Sequence, residues 1–89
     1  MKYLNWDQEK NEMLKMKRGI SFEEVVLLIE SGQLLDIKEH RSRPDQKIYV
    51  LAINKYAFIV PFVEKENEIF LKTIFPSRKY TKIYDLKEE

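Results

Sequence analysis

The chain has 89 residues, of which 44% are apolar, 16 are Lys or Arg, 15 are acidic and none is Cys, with a net charge of +1. This length allows one small domain, and the lack of cysteine excludes disulfides, thiolate zinc sites and cysteine nucleophiles. The longest apolar run, residues 25–29, is far shorter than the roughly 20 residues of a membrane span, and the first ten residues lack the apolar part of a secretory signal. We therefore expect one cytoplasmic domain over residues 1–89 that has no membrane partner.

Two helices are predicted in the first third of the chain. Asp7 is a suitable N-cap for a helix that runs to about Arg18, and Gly19 is suited to end it. The narrow apolar stripe of this helix predicts a position on the surface. A capping box that begins at Ser21 predicts the start of a second helix, which Gly32 ends. Its five consecutive apolar residues predict that it is the buried helix.

From residue 34 onward the apolar residues recur with a period of two, which is typical of strands. Four strands are predicted, over Leu34–Glu39, Gln46–Ile53, residues 56–63 and residues 68–75. Residues 54–55 predict a two-residue hairpin turn. Pro61 lies inside the third predicted strand, so we expect an edge position or a bulge there.

A last helix is predicted from residue 78 to about residue 86, with Ser77 as its cap. The order of elements is then ααββββα. Since short loops join the strands, we expect an α+β fold: two N-terminal helices, a four-stranded, mainly antiparallel sheet and a short C-terminal helix.

Positive charge is concentrated near this last helix, because residues 69–84 contain four Lys or Arg residues and no acidic residue. Arg78 and Lys79 fall in the first helical turn, where cations face the positive end of the helix dipole unless an anion offsets them. They therefore predict a phosphate site. The alternative is that both side chains extend into solvent or pair with acidic residues elsewhere.

Lys72 is predicted on the strand face opposite Leu71, Thr73 and Phe75, which indicates that this face is partly open. Together with Arg78 and Lys82 it is a candidate to hold a nucleic-acid backbone. The alternative is that Lys72 marks the solvated face of an antiparallel sheet.

The connection at residues 40–45 contains His40, Arg41 and Arg43. His40 is the default candidate for a general acid or base, because histidine titrates near neutral pH; the alternative is a solvated loop residue. Arg41 and Arg43 are candidate RNA contacts.

Further candidates for RNA contact are Lys79, Lys82 and Tyr80. The tyrosines that are candidates to stack on bases or to donate a proton are Tyr49, Tyr56, Tyr80 and Tyr84. The sequence contains neither a glycine-rich phosphate loop nor the ligands of a zinc site, so we expect no cofactor and no metal.

Three segments resemble a known family. They read NWDQEKN at residues 5–11, RGISFEE at residues 18–24 and FLKTIFPSRK at residues 70–79. The BrnT family of type II toxins reads W-D-x-x-K-x, H-G-[IV]-S-F-E-E and R-I-I-S-A-R in the corresponding segments. The resemblance covers almost the whole chain and implies a RelE-like fold.

Two features depart from that family. Its strand Arg falls at Thr73 here, with Lys72 one residue earlier, and the acidic residue often found in its last helix has no clear counterpart. Arg78 matches the Arg of S-A-R, so the resemblance implies a functional role for it. The motif does not extend to three other candidate site residues, which rest on the chemistry of their side chains only: Lys72, His40 and Lys82.

The resemblance implies a metal-independent endoribonuclease that inhibits translation and growth. In such an enzyme a base takes the 2′-OH proton, a cation stabilises the phosphorane, and an acid protonates the 5′ oxygen. Arg78 is assigned to the phosphorane, Lys72 and Lys82 support it, and His40 or a tyrosine transfers protons.

The partners implied by the resemblance are RNA, including mRNA on the ribosome, and an antitoxin that usually carries a ribbon-helix-helix DNA-binding part. The alternative is a non-catalytic module of the same fold that binds nucleic acid or protein.

Overall fold

A computed structural model describes residues 3–39, 42 and 46–86. Its elements are, in order, β1 (Tyr3–Trp6), α1 (Gln8–Arg18), α2 (Phe22–Glu30), β2 (Leu34–Glu39), β3 (Gln46–Ile53), β4 (Tyr56–Glu64), β5 (Glu68–Leu71), β6 (Phe75–Pro76) and α3 (Arg78–Ile83). Each helix in these ranges is too short or too polar to cross a membrane.

The sheet is mixed and has more strands than predicted. The described strands follow the order β1-β5-β4-β3-β2, and β6 pairs with β4 beside β5. β1 is parallel to β5, while the other described pairs are antiparallel. The fold is α+β, but the predicted four-stranded sheet in the order ααββββα is wrong. Both helices follow a first strand, and the predicted fourth strand is divided in two.

The first strand is too short to show a period in the sequence. Leu4 and Trp6 pack against the core, while Tyr3 and Asn5 are exposed. All four residues pair with Glu68–Leu71. Distant pairing therefore makes this segment a strand, and the local pattern does not reveal it.

The break between β5 and β6 is a bulge opposite Pro61. Between the pairs Phe62↔Leu71 and Ile59↔Phe75, β4 contributes two residues and the opposing chain contributes three. The Lys72 N–H donates to the Pro61 carbonyl at 2.8 Å, but proline has no N–H to return. The extra residue lies in the chain opposite β4, while Pro61 keeps a regular register with Ile48 of β3. The bulge expected in the strand of Pro61 therefore lies in the neighbouring strand, and an edge position is wrong because β4 lies between β3 and β5.

The bulge also changes which residues share a face. Ile74 is fully buried in the core, on the side of Leu71, and its carbonyl accepts a hydrogen bond from the Arg18 guanidinium. Phe75 pairs with Ile59 on the other face of the sheet. The predicted grouping of Thr73 and Phe75 with Leu71 is wrong for Phe75, since one extra residue reverses the alternation.

Helix α1 begins and ends as predicted. The Asp7 carboxylate accepts hydrogen bonds from the Glu9 and Lys10 N–H groups, at 2.8 and 3.3 Å. Gly19 has φ 66°, and its N–H donates to the Lys15 carbonyl. Glycine is suited to this left-handed position because it has no Cβ.

Helix α2 begins at the Ser21 cap as predicted, but it is buried on one side only. Phe22 and Val25 are fully buried, whereas Leu27 is 66% exposed. A helix on one face of a sheet buries a single stripe, so a run of five apolar residues must expose some of them.

The buried Asn11 joins the two helices. Its Oδ1 accepts a hydrogen bond from the Phe22 N–H at 2.7 Å, and its Nδ2 donates to Glu23 at 2.8 Å. The bond from Asn11 lowers the pKa of Glu23 below its usual value. The start of α2 is thus fixed to the middle of α1.

The hairpin between β3 and β4 has the predicted two-residue turn. Asn54 and Lys55 have φ 51° and 65°, so both adopt the left-handed conformation. This is the geometry of a type I′ turn, whose twist matches that of the strands it joins.

At the two outer strands of the sheet, a side chain covers a backbone N–H. In β1, Asn5 Oδ1 accepts from the Trp6 N–H at 2.9 Å. In β2, Asp36 Oδ1 accepts from the Ile37 N–H at 2.8 Å. In both cases the acceptor belongs to the residue directly before the donor.

Candidate nucleic-acid interface

Residues 75–82, from β6 into α3, form a ridge between two grooves. The groove on one side, here named the Arg78 groove, is lined by Ile53, Asn54, Tyr56, Phe58, Pro76, Arg78, Thr81, Lys82 and Leu86. The groove on the other side, named the Lys79 groove, is lined by Glu39, Ile48, Ile59, Pro61, Phe75, Ser77, Lys79 and Tyr80. Residues 75–79 therefore line the two grooves alternately.

The ridge is attached to β4 at Ala57. The Ser77 N–H donates to the Ala57 carbonyl at 2.9 Å, and the Ala57 N–H donates to Thr81 Oγ1 at 2.9 Å. The Thr81 hydroxyl in turn donates to the Ser77 carbonyl at 2.7 Å. Thr81 is the buried residue of α3, so one hydroxyl connects the helix to the strand below it.

Ser77 caps α3 as predicted, and its Oγ accepts from the Tyr80 N–H at 3.2 Å. The helix is shorter than predicted, however, because it ends at Ile83 rather than near Leu86. Asp85 adopts φ 54°, which ends the helical path. A helix of six residues has few aligned peptides, so the charges of its side chains matter more than its dipole.

The Arg78 groove combines two cations with two aromatic rings. Arg78 and Lys82 are four positions apart on α3 and therefore lie on the same side of the helix. The rings of Tyr56 and Phe58 meet edge to face, with centroids 6.1 Å apart. No acidic residue is among the described residues that line this groove. Its volume of about 680 Å³ is in the range of small-molecule sites.

The Lys79 groove has an apolar floor and a polar rim. Ile48, Ile59, Pro61 and Phe75 supply the floor. At the rim, the Lys79 ammonium lies 5.7 Å from the centroid of the Tyr80 ring, a cation–π distance. The volume of this groove is about 470 Å³.

A cluster of polar and aromatic side chains holds the far end of α3 against β2. The Tyr84 hydroxyl donates to Asp36 Oδ2 at 2.9 Å, and Lys38 lies 3.5 Å from the same oxygen. This hydrogen bond is the main reason why the pKa of Asp36 is lowered. The Tyr80 ring stacks near Tyr84, with centroids 6.3 Å apart.

The structure separates the four candidate tyrosines into two pairs. Burial raises the pKa of Tyr49, which stacks on Phe62 at 4.1 Å in the core. The pKa of Tyr84 is raised by burial and by its bond to Asp36. Tyr49 is buried and the Tyr84 hydroxyl is already bonded to Asp36, whereas Tyr56 and Tyr80 each line a groove.

The predicted cations do not form one cluster. Arg78 and Lys82 line one groove and Lys79 lines the other, together with Tyr80. The described residues that line the two grooves do not include Lys72, which is exposed at the bulge with its ammonium 5.9 Å from the Phe70 ring.

The remaining candidates, His40, Arg41 and Arg43, lie outside the described residues. Among the described residues, no three acidic or histidine side chains converge where they could hold a metal ion.

Sequence reasoning missed Phe58 and Thr81. The spacing of Phe58 two residues after Tyr56 is a usable signal, because alternate residues of a strand share a face. Thr81 carries no such signal, since its role depends on an N–H of Ala57, which is distant in sequence.

Comparison of the chain with known protein families, with curated proteins and with solved structures gives no match. The resemblance to BrnT toxins rests on sequence motifs alone. The two grooves and their side chains are therefore the structural basis for a functional proposal.

Proposed function

We propose that the protein is a metal-independent endoribonuclease toxin of a type II toxin–antitoxin system, similar to the BrnT family, and that it binds RNA in the Arg78 groove. The observation that carries this proposal is the meeting of two cations and two aromatic rings in one groove. Cations bind the phosphate backbone, and aromatic rings stack on unpaired bases. Arg78, the residue that matches the family motif, lies in this groove.

The reaction would be transfer of a phosphodiester to its own 2′-OH. The 2′ oxygen forms a bond to phosphorus, and its proton passes to a base. The bond to the 5′ oxygen breaks, and an acid protonates that oxygen, which leaves a 2′,3′-cyclic phosphate and a 5′-OH. We assign to Arg78 the binding of the non-bridging oxygens and the stabilisation of the phosphorane charge, with Lys82 as the supporting cation of the same groove.

For proton transfer we propose Tyr56 or His40. Tyr56 is favoured as the acid because it lines the same groove as Arg78. Lys72 is a supporting cation that contacts the RNA backbone beyond the groove.

The resemblance further suggests that the toxin acts in the cytoplasm. A small antitoxin with a ribbon-helix-helix DNA-binding part would neutralise it.

The second candidate function is a non-catalytic RNA-binding module. One observation favours it: the described residues of the Arg78 groove supply cations and rings but neither a carboxylate nor an imidazole. Such a groove is sufficient for binding, whereas cleavage also needs a group that takes the 2′-OH proton.

Brief induction of the wild type and of Arg78→Ala in a bacterial host, followed by mapping of new RNA 5′ ends, tests the proposal. We expect new ends and growth arrest with the wild type and neither with Arg78→Ala. Lys65→Ala is the control, because it removes an exposed positive charge at the opposite end of β4, roughly 30 Å from Tyr56 at about 3.3 Å per residue. We expect this control to remain toxic.

A toxic Arg78→Ala variant would show that the assigned site is wrong. Folded wild-type protein that binds RNA without producing new ends would favour the binding module.

A further inference from the structure

We infer that the Lys79 groove is a second subsite for single-stranded RNA, which receives the unstacked base of a nucleotide next to the one held at Arg78. This inference rests on the RNA binding proposed above. The substrate is then a single strand that crosses the ridge and places nucleotides on both of its sides.

The first support is the arrangement of the ridge. Pro76 and Arg78 face one groove, whereas Phe75, Ser77 and Lys79 face the other. The cations of the consecutive residues Arg78 and Lys79 therefore line different grooves, one on each side of the ridge. A polyanion attracted by one cation continues directly to the next, as in sites where a positive track follows a nucleic-acid backbone.

The second support is the chemistry of the Lys79 groove. Its floor is apolar, and Phe75 and Tyr80 are its aromatic residues. Lys79 is held at the rim by its contact with the Tyr80 ring. One cation beside an apolar, partly aromatic surface matches one phosphate attached to one base.

Glu39, which also lines the Lys79 groove, limits the kind of ligand that can bind there. Glu39 lines the groove beside Lys79, so an occupant that carries several negative charges, such as an acidic peptide, meets repulsion there. A nucleotide offers a single backbone charge together with neutral N–H donors on its base, and carboxylates accept hydrogen bonds from such donors.

The third support is the shape of the sheet at this point. β6 has two residues, and it pairs with β4 through Phe58↔Pro76 and Ile59↔Phe75. Successive residues of a strand point to opposite faces, so Pro76 and Phe75 open the two grooves on opposite faces of the sheet. An RNA that occupies both grooves must pass around β6 from one face of the sheet to the other, which requires a flexible, unpaired strand whose bases are free to turn outward.

The test is binding of a fluorescently labelled tetranucleotide of 2′-O-methyl RNA, which lacks the attacking 2′-OH and is not cleaved. A second probe has the same backbone and lacks one base, with the abasic position moved along the strand. Fluorescence anisotropy gives the affinities of the wild type, Phe75→Leu, Lys79→Ala, Arg78→Ala and the control Lys65→Ala. Thermal unfolding of each variant checks the fold.

We expect Phe75→Leu to weaken binding about tenfold, the scale of one lost base–aromatic stack. When the abasic position is the one that faces Phe75, the wild type should bind this probe as weakly as Phe75→Leu binds the complete probe. Phe75→Leu should then cause no further loss of affinity. Lys79→Ala should weaken binding severalfold and lower the slope of log affinity against log salt by about 0.7. Because Lys79 is exposed, this variant keeps the test valid if Phe75→Leu fails to fold.

Wild-type affinity in both Phe75→Leu and Lys79→Ala, with affinity lost in Arg78→Ala, would overturn the second subsite and leave the proposed function intact. Equal loss from Phe75→Leu on the complete probe and on every abasic probe would also overturn it. Absence of binding by the wild-type protein would overturn both.

Discussion

The helical region of α1 and α2 and the ridge use polar side chains for opposite purposes. In the helical region, Asn11 is fully buried, and its two hydrogen bonds connect one helix to the other. On the ridge, Arg78 and Lys79 are exposed, and the Thr81 hydroxyl makes the internal connection. Changes in the helical region should therefore act on stability, whereas changes of the ridge cations should act on ligand binding alone.

The two regions also differ in how much structure supports them. The helical region contributes Leu14, Ile20, Phe22 and Val25 to the core. The ridge consists of the two-residue strand β6, the cap Ser77 and the first five residues of the six-residue helix α3. A short element with few buried side chains depends on individual hydrogen bonds, so one substitution there can shift the whole ridge.

The largest expected effect is that of Asn11→Ala. This substitution leaves the buried Phe22 N–H without its acceptor and removes the bond to Glu23, so we expect unfolding to become easier by about 3 kcal/mol. Urea unfolding followed by circular dichroism measures the change. The exposed Asn67→Ala is the control and should unfold like the wild type. Wild-type stability of Asn11→Ala would show that the buried amide does not stabilise the helical region.

Thr81→Val should have the next largest effect. Valine has a similar shape but no hydroxyl, so the Ala57 N–H loses its acceptor and stability falls by about 2 kcal/mol. We also expect weaker RNA binding, since the ridge is no longer fixed to β4. Unfolding and anisotropy on the same samples separate the two effects. Thr73→Val, a change of the same type at the bulge, should leave RNA affinity unchanged.

Lys82→Ala tests whether a ridge cation acts on RNA binding without acting on stability. It removes a cation from the Arg78 groove, so we expect RNA affinity to fall between about three- and tenfold and the salt slope to fall by about 0.7. The free energy of unfolding should not change, because Lys82 is exposed. Lys65→Ala, measured in parallel, should change neither quantity. A loss of stability in Lys82→Ala would show that the ridge cations also support the fold.

The smallest expected effect concerns pH. The pKa of Asp36 is lowered in the folded protein by its bond to Tyr84. Its contribution to stability is therefore fully present above the ordinary value of 3.8 and is lost as the pH falls through the lower pKa of the folded state. Tyr84→Phe should reduce stability above pH 3.8 and match the wild type in strong acid. Urea midpoints across that range provide the measurement, and a constant difference at every pH would contradict this explanation.

Local signals predicted the elements whose geometry is determined by neighbouring residues. Asp7 and Gly19 bound α1, Ser77 caps α3, and residues 54–55 form the hairpin turn, because caps and turns involve residues only a few positions apart. The concentration of positive charge near the last helix is also visible in the sequence, because residues 69–84 contain four Lys or Arg residues and no acidic residue.

The features that the sequence did not reveal depend on distant contacts. β1 is a strand because of its pairing with β5, and the position of Ile74 follows from the bulge opposite Pro61. The separation of Arg78 from Lys79 into different grooves follows from the way the ridge lies on the sheet. None of these three features can be predicted from the local period of apolar residues.

The side chains that cover N–H groups on the outer strands have a consequence for the behaviour of concentrated protein. An uncovered strand at the end of a sheet is a template on which identical chains can add and grow into fibres. The Asn5 and Asp36 oxygens occupy donors that an incoming strand needs, one at each end of the sheet. Asn5→Ala and Asp36→Ala are thus the substitutions by which we expect this chain to acquire a tendency to form fibrils.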